Sequence, residues 1–210
     1  MDNILIIGAH YDDAELGVGG TAAKLVEQGK NVYKLTLTDN VTRFEENNVY
    51  INHKSSSEQS SRACKILGIT EITSFRQQPC SELRYSTELM REIEQIIFQY
   101  NIDTVFSHFG DDMNQDHVEA ARLSVTAARH CRNILMYQSN GYILNIKFYP
   151  TFFVDISMFL EKKRQALNCY GNEHNRFQRL FENSVERNHI WGFSNEVDYA
   201  EGFHIVKMLE

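Results

Sequence analysis

The sequence predicts an α/β fold with a mostly parallel sheet, and three observations predict it. Strand-like and helix-like patterns alternate along the first two thirds of the chain. The first strand, at residues 3–8, is a short apolar run that ends in glycine, of the kind that suits burial on both faces of a sheet. The first two helical patterns close at Gly29 and Gly68, where glycine is a usual helix stop. Such alternation favours parallel strands joined by right-handed crossovers.

The elements follow in order from apolar spacing and from breaker residues. Five strands alternate with four helices, and the predicted strands are 3–8, 32–38, 71–75, 104–107 and 134–138. The predicted helices between them are 17–29, 55–67, 87–100 and 117–130. Beyond residue 140 we predict a strand at 152–156, a helix at 158–170 and a last strand at 203–208. A doubly wound order of 3-2-1-4-5 places strands 1 and 4 side by side, in a Rossmann-like three-layer sandwich.

Length and composition favour one domain over residues 1–210. The 210 residues carry a net charge of −7, which argues against a dedicated nucleic-acid binder because such proteins present a basic face. The four cysteines form no C-x-x-C pair. The sequence starts without a positively charged leader, and it contains no apolar run long enough to span a membrane. We therefore expect a cytoplasmic protein, with self-association left open.

Two polar segments follow the strands that the predicted order places side by side. The first strand runs into Ala9-His10-Tyr11-Asp12-Asp13-Ala14-Glu15. The fourth strand ends at Ser107-His108 and leads into Asp111-Asp112-Met113-Asn114-Gln115-Asp116-His117. Ligands of open α/β sheets bind at the carboxyl ends of the strands, so the two segments should face each other across one cleft.

Two imidazoles and one carboxylate, with a position left for water, are a typical catalytic zinc arrangement. His10, Asp13 and His117 can supply those ligands, for one zinc ion per chain. Asp12 can then take the proton of the water. The alternative reading is a polar loop in which Asp12 or Asp13 caps the following helix.

These segments resemble the signatures of the LmbE/PIG-L family of metal-dependent N-acetylglucosaminyl de-N-acetylases. That family carries A-H-P-D-D-x-E after its first strand and H-P-D-H after its fourth, matched here by residues 9–15 and 114–117. Residues 63–68, 153–156 and 200–203 also resemble family segments, so the resemblance covers most of the chain. Residues 171–192 match no family motif.

The resemblance implies roles for particular residues. His10, Asp13 and His117 would bind zinc, or iron in some settings, and Asp12 would be the general base. Asp116 would orient a neighbouring group of the metal site, although it could also be the N-cap of the fourth helix.

Two departures from the family pattern concern the pocket. Tyr11 replaces a proline and could add a wall or a hydroxyl group. Asn114 replaces a histidine that is thought to assist the oxyanion, and asparagine can donate a hydrogen bond but cannot carry the proton. His108 could compensate, or it could support the site from behind. For the substrate-binding arginine of the family, Arg43 or Lys54 could substitute.

The main hypothesis is a zinc-dependent hydrolase that removes acetate from an N-acetylated amino sugar of the GlcNAc type. The alternatives are a metal hydrolase of a non-sugar amide and a metal- and sugar-binding protein with little catalysis, which Asn114 motivates. A nucleotide-binding domain without a metal fits least well, because it leaves both acidic segments unexplained. NAD is disfavoured because Gly17, Gly19 and Gly20 lack the spacing of a dinucleotide fingerprint.

Overall fold

The computed structural model describes residues 1–44, 49–140, 148–170 and 180–209. The strands in these ranges are β1 (Asn3–Gly8), β2 (Asn31–Thr36), β3 (Thr42–Phe44), β4 (Val49–Ile51), β5 (Thr70–Ile72), β6 (Thr104–His108), β7 (Asn133–Tyr137), β8 (Phe152–Asp155) and β9 (Ala200–Lys207). The helices are α1 (Asp13–Glu27), α2 (His53–Leu67), α3 (Thr87–Gln99), α4 (Gln115–Ala127), α5 (Leu160–Leu167) and α6 (Glu182–Phe193).

Seven strands form one sheet, in the order β5-β2-β1-β6-β7-β9-β8. The first five strands in this order are parallel, whereas β9 pairs antiparallel with both β7 and β8. The parallel part has the predicted order, so the predicted fold class is confirmed. The carboxyl ends of β1 and β6 are therefore neighbours.

The strand β1 lies at the centre of the core. Ile4 and Ile6 point into a hydrophobic cluster on one face of the sheet, and Leu5 and Ile7 point into a second cluster on the other face. All four side chains are fully buried. This alternation explains why an apolar run without polar gaps forms a strand here, since both faces are covered by helices.

The helix α1 packs closely against the sheet because of its glycines. A Cβ atom built on Gly17 would lie 2.1 Å from the ring of Tyr137, and one built on Gly20 would lie 2.7 Å from Ile156. The glycines thus permit the close approach of α1.

Glu201 and Lys163 contact the middle of α1, and we call this buried pair the Glu201 clamp. The Glu201 carboxylate accepts hydrogen bonds from the backbone N–H groups of Gly20 and Thr21, at 3.0 and 2.7 Å. Lys163 from α5 forms an ion pair with Glu201 at 2.7 Å and donates to the carbonyl of Leu16 at 2.9 Å. Lys163 and Glu201 are both fully buried, so they depend on each other for their charge balance.

Several predicted boundaries were wrong. The helix α1 begins at Asp13 rather than at residue 17, so the end of the first polar segment forms its first turn. The predicted helix 158–170 is a short 3-10 turn followed by α5. The hairpin β3–β4 was missed, because three-residue strands show too little alternation to be recognised. Of the segment 171–192, residues 171–179 lie outside the described part of the chain, and α6 covers most of the remainder.

Within the described ranges, no helix combines the length and the apolar composition needed to cross a bilayer.

Candidate active site

The three predicted metal ligands converge at the carboxyl ends of β1 and β6. The two histidine rings meet with His10 Nδ1 3.2 Å from His117 Nε2. The Asp13 carboxylate lies beside both, with 3.4 Å from Oδ2 to His10 Nδ1 and 3.4 Å from Oδ1 to His117 Nε2. His10 follows β1, Asp13 opens α1 and His117 lies in the first turn of α4, so three elements bring them together.

These separations suit one small divalent cation. Zinc with four ligands at about 2.1 Å holds neighbouring donor atoms about 3.4 Å apart, which is close to the three distances observed. The donors are two imidazole nitrogens and a carboxylate, which are among the usual ligands of catalytic zinc. His10, Asp13 and His117 therefore fit a metal, although the donors alone do not select a particular ion.

In both predicted histidine ligands, a carboxylate contacts the ring nitrogen that is left over for a second partner. His10 Nε2 lies 3.2 Å from Asp116 Oδ2, and His117 Nδ1 lies 3.0 Å from Asp112 Oδ2. Such carboxylate partners fix the tautomer and direct the opposite nitrogen of the ring towards a metal. Asp112 was not singled out in the sequence, where its only signal was its place in the acidic segment before His117.

Asp116 does not cap α4, so that alternative reading was wrong. The N-cap is Asn114, whose side-chain oxygen accepts from the backbone N–H of Asp116 at 2.9 Å. The Asp116 carboxylate instead accepts from the backbone N–H groups of Ser81 and Leu83, at 2.6 and 3.2 Å, besides contacting His10. It thereby joins the loop before α3 to the group formed by His10, Asp13 and His117, which we call the histidine cluster.

The buried histidines and carboxylates of this site shift one another's pKa values. Burial alone would lower the pKa of His117, but the carboxylates of Asp13 and Asp112 raise it to about 9. Burial likewise opposes ionisation of Asp13, yet His117, His108 and His10 hold its pKa well below the usual range. Burial and the neighbouring His117 lower the pKa of His108. Protons on His10 and His117 therefore compensate the buried Asp13 carboxylate, and metal binding would displace them.

His108 supports the cluster from the interior. Its ring stacks on His117 with centroids 4.0 Å apart, and its Nε2 atom lies 3.0 Å from Asp13 Oδ2 and 3.1 Å from the backbone N–H of Ala9. The side chain is fully buried, behind two of the predicted ligands. This placement fits a supporting residue and not one that reaches a substrate oxyanion.

We expect His108→Leu to weaken metal binding about 10- to 100-fold, since the loss of such a supporting contact frees the ligand carboxylate. Competition with a chelator of known affinity measures this. His130→Leu, which changes an exposed histidine just beyond α4, is the matched control. An unchanged metal affinity in His108→Leu would show that Asp13 is positioned without it.

The segment between His10 and Asp13 is held in place through the backbone carbonyl of Tyr11. The Tyr11 carbonyl accepts from Lys34 Nζ at 2.5 Å and from the Tyr170 hydroxyl at 2.7 Å. Lys34 also contacts both oxygens of Glu15, at 2.8 and 3.0 Å. Burial alone would lower the pKa of Lys34, but the Glu15 carboxylate raises it above its usual range, so the amine stays charged.

Asp12 lies in this anchored segment, next to the predicted ligand Asp13. It is 5% exposed and occupies the N-cap position of α1, but its side chain makes no capping hydrogen bond. The capping alternative therefore does not account for its carboxylate.

The structure does not bring the predicted substrate-binding residues together. Tyr11 is buried, and its hydroxyl group pairs with the Gln77 side chain at 2.9 Å. Arg43 is exposed on β3, with its guanidinium 5.1 Å from the ring centre of Tyr50. Lys54 is exposed in the first turn of α2.

Comparison with known proteins connects this site to a family. The family profile described as "PIG-L: GlcNAc-PI de-N-acetylase" matches residues 5–128, which include every residue of the histidine cluster. The chain is 27% identical to a diacetylchitobiose deacetylase of Thermococcus kodakarensis over 189 residues, which cover 82% of this chain and 70% of that protein.

Two solved structures share the fold. One is the N,N'-diacetylchitobiose deacetylase of Pyrococcus horikoshii, with a TM-score of 0.81, 20% identity, and coverage of 98% of this chain and 84% of that one. The other is the 4-carboxy-2-hydroxymuconate hydratase GalB of Pseudomonas putida KT2440, with a TM-score of 0.82, 18% identity, and coverage of 100% and 98%. Because the same fold carries a hydratase, the reaction must be argued from the site. The matched profile spans more than half of the sequence and confirms the resemblance, so the chain belongs to the PIG-L, GlcNAc-PI de-N-acetylase family.

Proposed function

We propose that the chain is a zinc-dependent hydrolase that removes the acetyl group from an N-acetylated amino sugar of the GlcNAc type. The observation that carries this proposal is the convergence of His10, Asp13 and His117 beside the buried Asp12. The family description and the names of the deacetylase relatives support an acetamide as the group that is cleaved.

Zinc held by His10, Asp13 and His117 would polarise the acetamide carbonyl and lower the pKa of water to about 7. Asp12 takes a proton from the attacking water and later delivers it to the leaving nitrogen, so that acetate and a free amine result. Asp112 and Asp116 keep the two imidazoles aligned. Asn114 uses its side-chain oxygen to cap α4, which leaves its amide hydrogens as donors for the developing oxyanion.

The test is acetate release from a panel of N-acetylglucosamine conjugates and of non-sugar acetamides. Protein stripped with a chelator is compared with the same protein after one equivalent of Zn²⁺ or Fe²⁺ is restored. We expect release only with metal, and preferentially from the amino-sugar compounds.

Release from the non-sugar acetamides alone would favour the alternative hypothesis of a metal hydrolase that acts on a non-sugar amide. If no compound released acetate while one equivalent of zinc stayed bound, this proposal would be replaced by the alternative hypothesis of a metal- and sugar-binding protein with little catalysis, which Asn114 motivates. The single domain over residues 1–210, the cytoplasmic location and any self-association stay predictions.

A further inference from the structure

A second set of metal-ligating side chains shares His10 with the cluster described above. His10, Cys80 and Asp116 each offer one ligand atom, and these atoms lie within 4.8 Å of one another. His10 presents its two nitrogens to different partners, with Nδ1 3.2 Å from His117 and Nε2 3.2 Å from Asp116. Neither the sequence patterns nor the family resemblance pointed to Cys80.

The backbone around Cys80 holds the thiol at this place. The Cys80 backbone N–H donates to Asp39 Oδ1 at 3.0 Å, and the next backbone N–H, of Ser81, donates to Asp116 at 2.6 Å. Ser81 has a φ angle of 71°, which is a left-handed conformation that few residues other than glycine adopt. The turn is thus fixed from both sides, and Asp116 is both its anchor and a neighbour of the thiol.

The donor set differs in chemistry from the first cluster. A thiolate, an imidazole and a carboxylate suit zinc, and the thiolate adds a preference for soft, thiophilic ions that the oxygen and nitrogen donors of the first cluster do not share. Cys80 is only half-buried, so an ion can reach it from solvent.

We propose that His10, Cys80 and Asp116 form a second metal site for thiophilic divalent ions, and that filling this site inhibits the enzyme. The inhibition rests on the proposed function, whereas the binding does not.

The two sites exclude each other because they compete for one imidazole. Neutral histidine has a single ring nitrogen with a free lone pair, and the other nitrogen carries the proton. In the first site His10 would bind the metal through Nδ1, and its Nε2–H would point to Asp116. In the second site His10 would bind through Nε2, so its proton would have to be on Nδ1. The Cys80 thiol gives its proton to solvent as the metal–sulfur bond forms. An ion bound here therefore takes His10 away from the first site.

The experiment is a titration of metal-free protein with Cd²⁺, followed by the ultraviolet charge-transfer band of the cadmium–thiolate bond. We expect the band in the parent protein and its loss in Cys80→Ser. Cys169→Ser is the matched control, because Cys169 is also half-buried but contacts Gln165 on α5. Cys64 and Cys131 are each 3% exposed and are closed to the ion.

A further variant, His117→Gln, separates the two sites. It removes a ligand of the first site and keeps His10, Cys80 and Asp116, so the band should persist. In the acetate assay, half-inhibition by Cd²⁺ should need a concentration at least about 10-fold higher for Cys80→Ser than for the parent.

A band that is absent from the parent, or that survives in Cys80→Ser, would overturn the proposal. Loss of the band in His117→Gln would also overturn it, because Cys80 would then belong to the first site. The band requires no substrate, so a protein that releases no acetate but shows the Cys80-dependent band contradicts the proposed function alone.

Discussion

Asp12→Asn should lower kcat for acetate release by about 10²- to 10⁴-fold while leaving metal binding nearly unchanged. Asparagine keeps the size of the side chain and cannot accept the proton of the attacking water. The metal should stay bound because the converging donor atoms belong to His10, Asp13 and His117 and not to Asp12. Steady-state kinetics at saturating metal, together with the metal content after gel filtration, measure the two effects separately.

Asp112→Asn is the matched control, since it makes the same chemical change one step behind the ligands. Asp112 contacts His117 Nδ1 at 3.0 Å, so this variant should bind metal about 10- to 100-fold more weakly and recover its turnover when metal is in excess. Parental turnover in Asp12→Asn would refute the role of general base. Loss of the metal in that variant would instead make Asp12 a ligand.

Lys34→Met should destabilise the fold by about 3–5 kcal/mol, because it leaves the Glu15 carboxylate buried without its partner. Lys34 and Glu15 are both fully buried and lie 2.8 Å apart. The variant also removes one of the two donors on the Tyr11 carbonyl, so metal affinity should fall together with stability. Urea unfolding gives the free energy of unfolding, and chelator competition gives the metal affinity.

Two further variants separate the loss of an ion pair in general from the effect of leaving the Glu15 carboxylate buried without a partner. Lys30→Met removes the exposed ion pair between Lys30 and Asp2, which should leave the free energy of unfolding nearly unchanged. The double variant Lys34→Met/Glu15→Met removes both buried charges, and it should regain most of the stability without regaining the full metal affinity. Equal losses for Lys30→Met and Lys34→Met would contradict the assignment of Lys34 as a buried structural cation.

Much of the fold could be predicted because its signals are local. The apolar run at β1 and the helical spacing after it depend on neighbouring residues only, and the order of the parallel strands follows from general topology rules. The convergence of His10, Asp13 and His117 could be predicted for the same reason, since two adjacent strands end in segments rich in metal ligands.

The rest depends on contacts between distant parts of the chain. Lys34 meets Tyr170 across 136 residues, and no local pattern marks either residue as the anchor of Tyr11. The thiol of Cys80 reaches His10 only through the turn at Ser81. A strand at β9 could be predicted, but its position between β7 and β8 and its antiparallel direction could not, because hydrophobic periodicity carries no information about neighbours.

The Glu201 clamp has a consequence for the order in which the chain can fold during synthesis. Glu201 bonds the backbone of Gly20 across 181 residues, and β9 follows every other described strand and helix. Domains begin to fold from the N-terminus as they leave the ribosome, and contacts of large sequence separation form late. The central backbone of α1, the helix that begins with the predicted ligand Asp13, therefore receives this carboxylate only after β9 has emerged. Until then Lys163 lacks the carboxylate that forms its ion pair in the folded protein. A nascent chain that stops before residue 201 therefore cannot complete the contacts that hold α1 beside the predicted metal site.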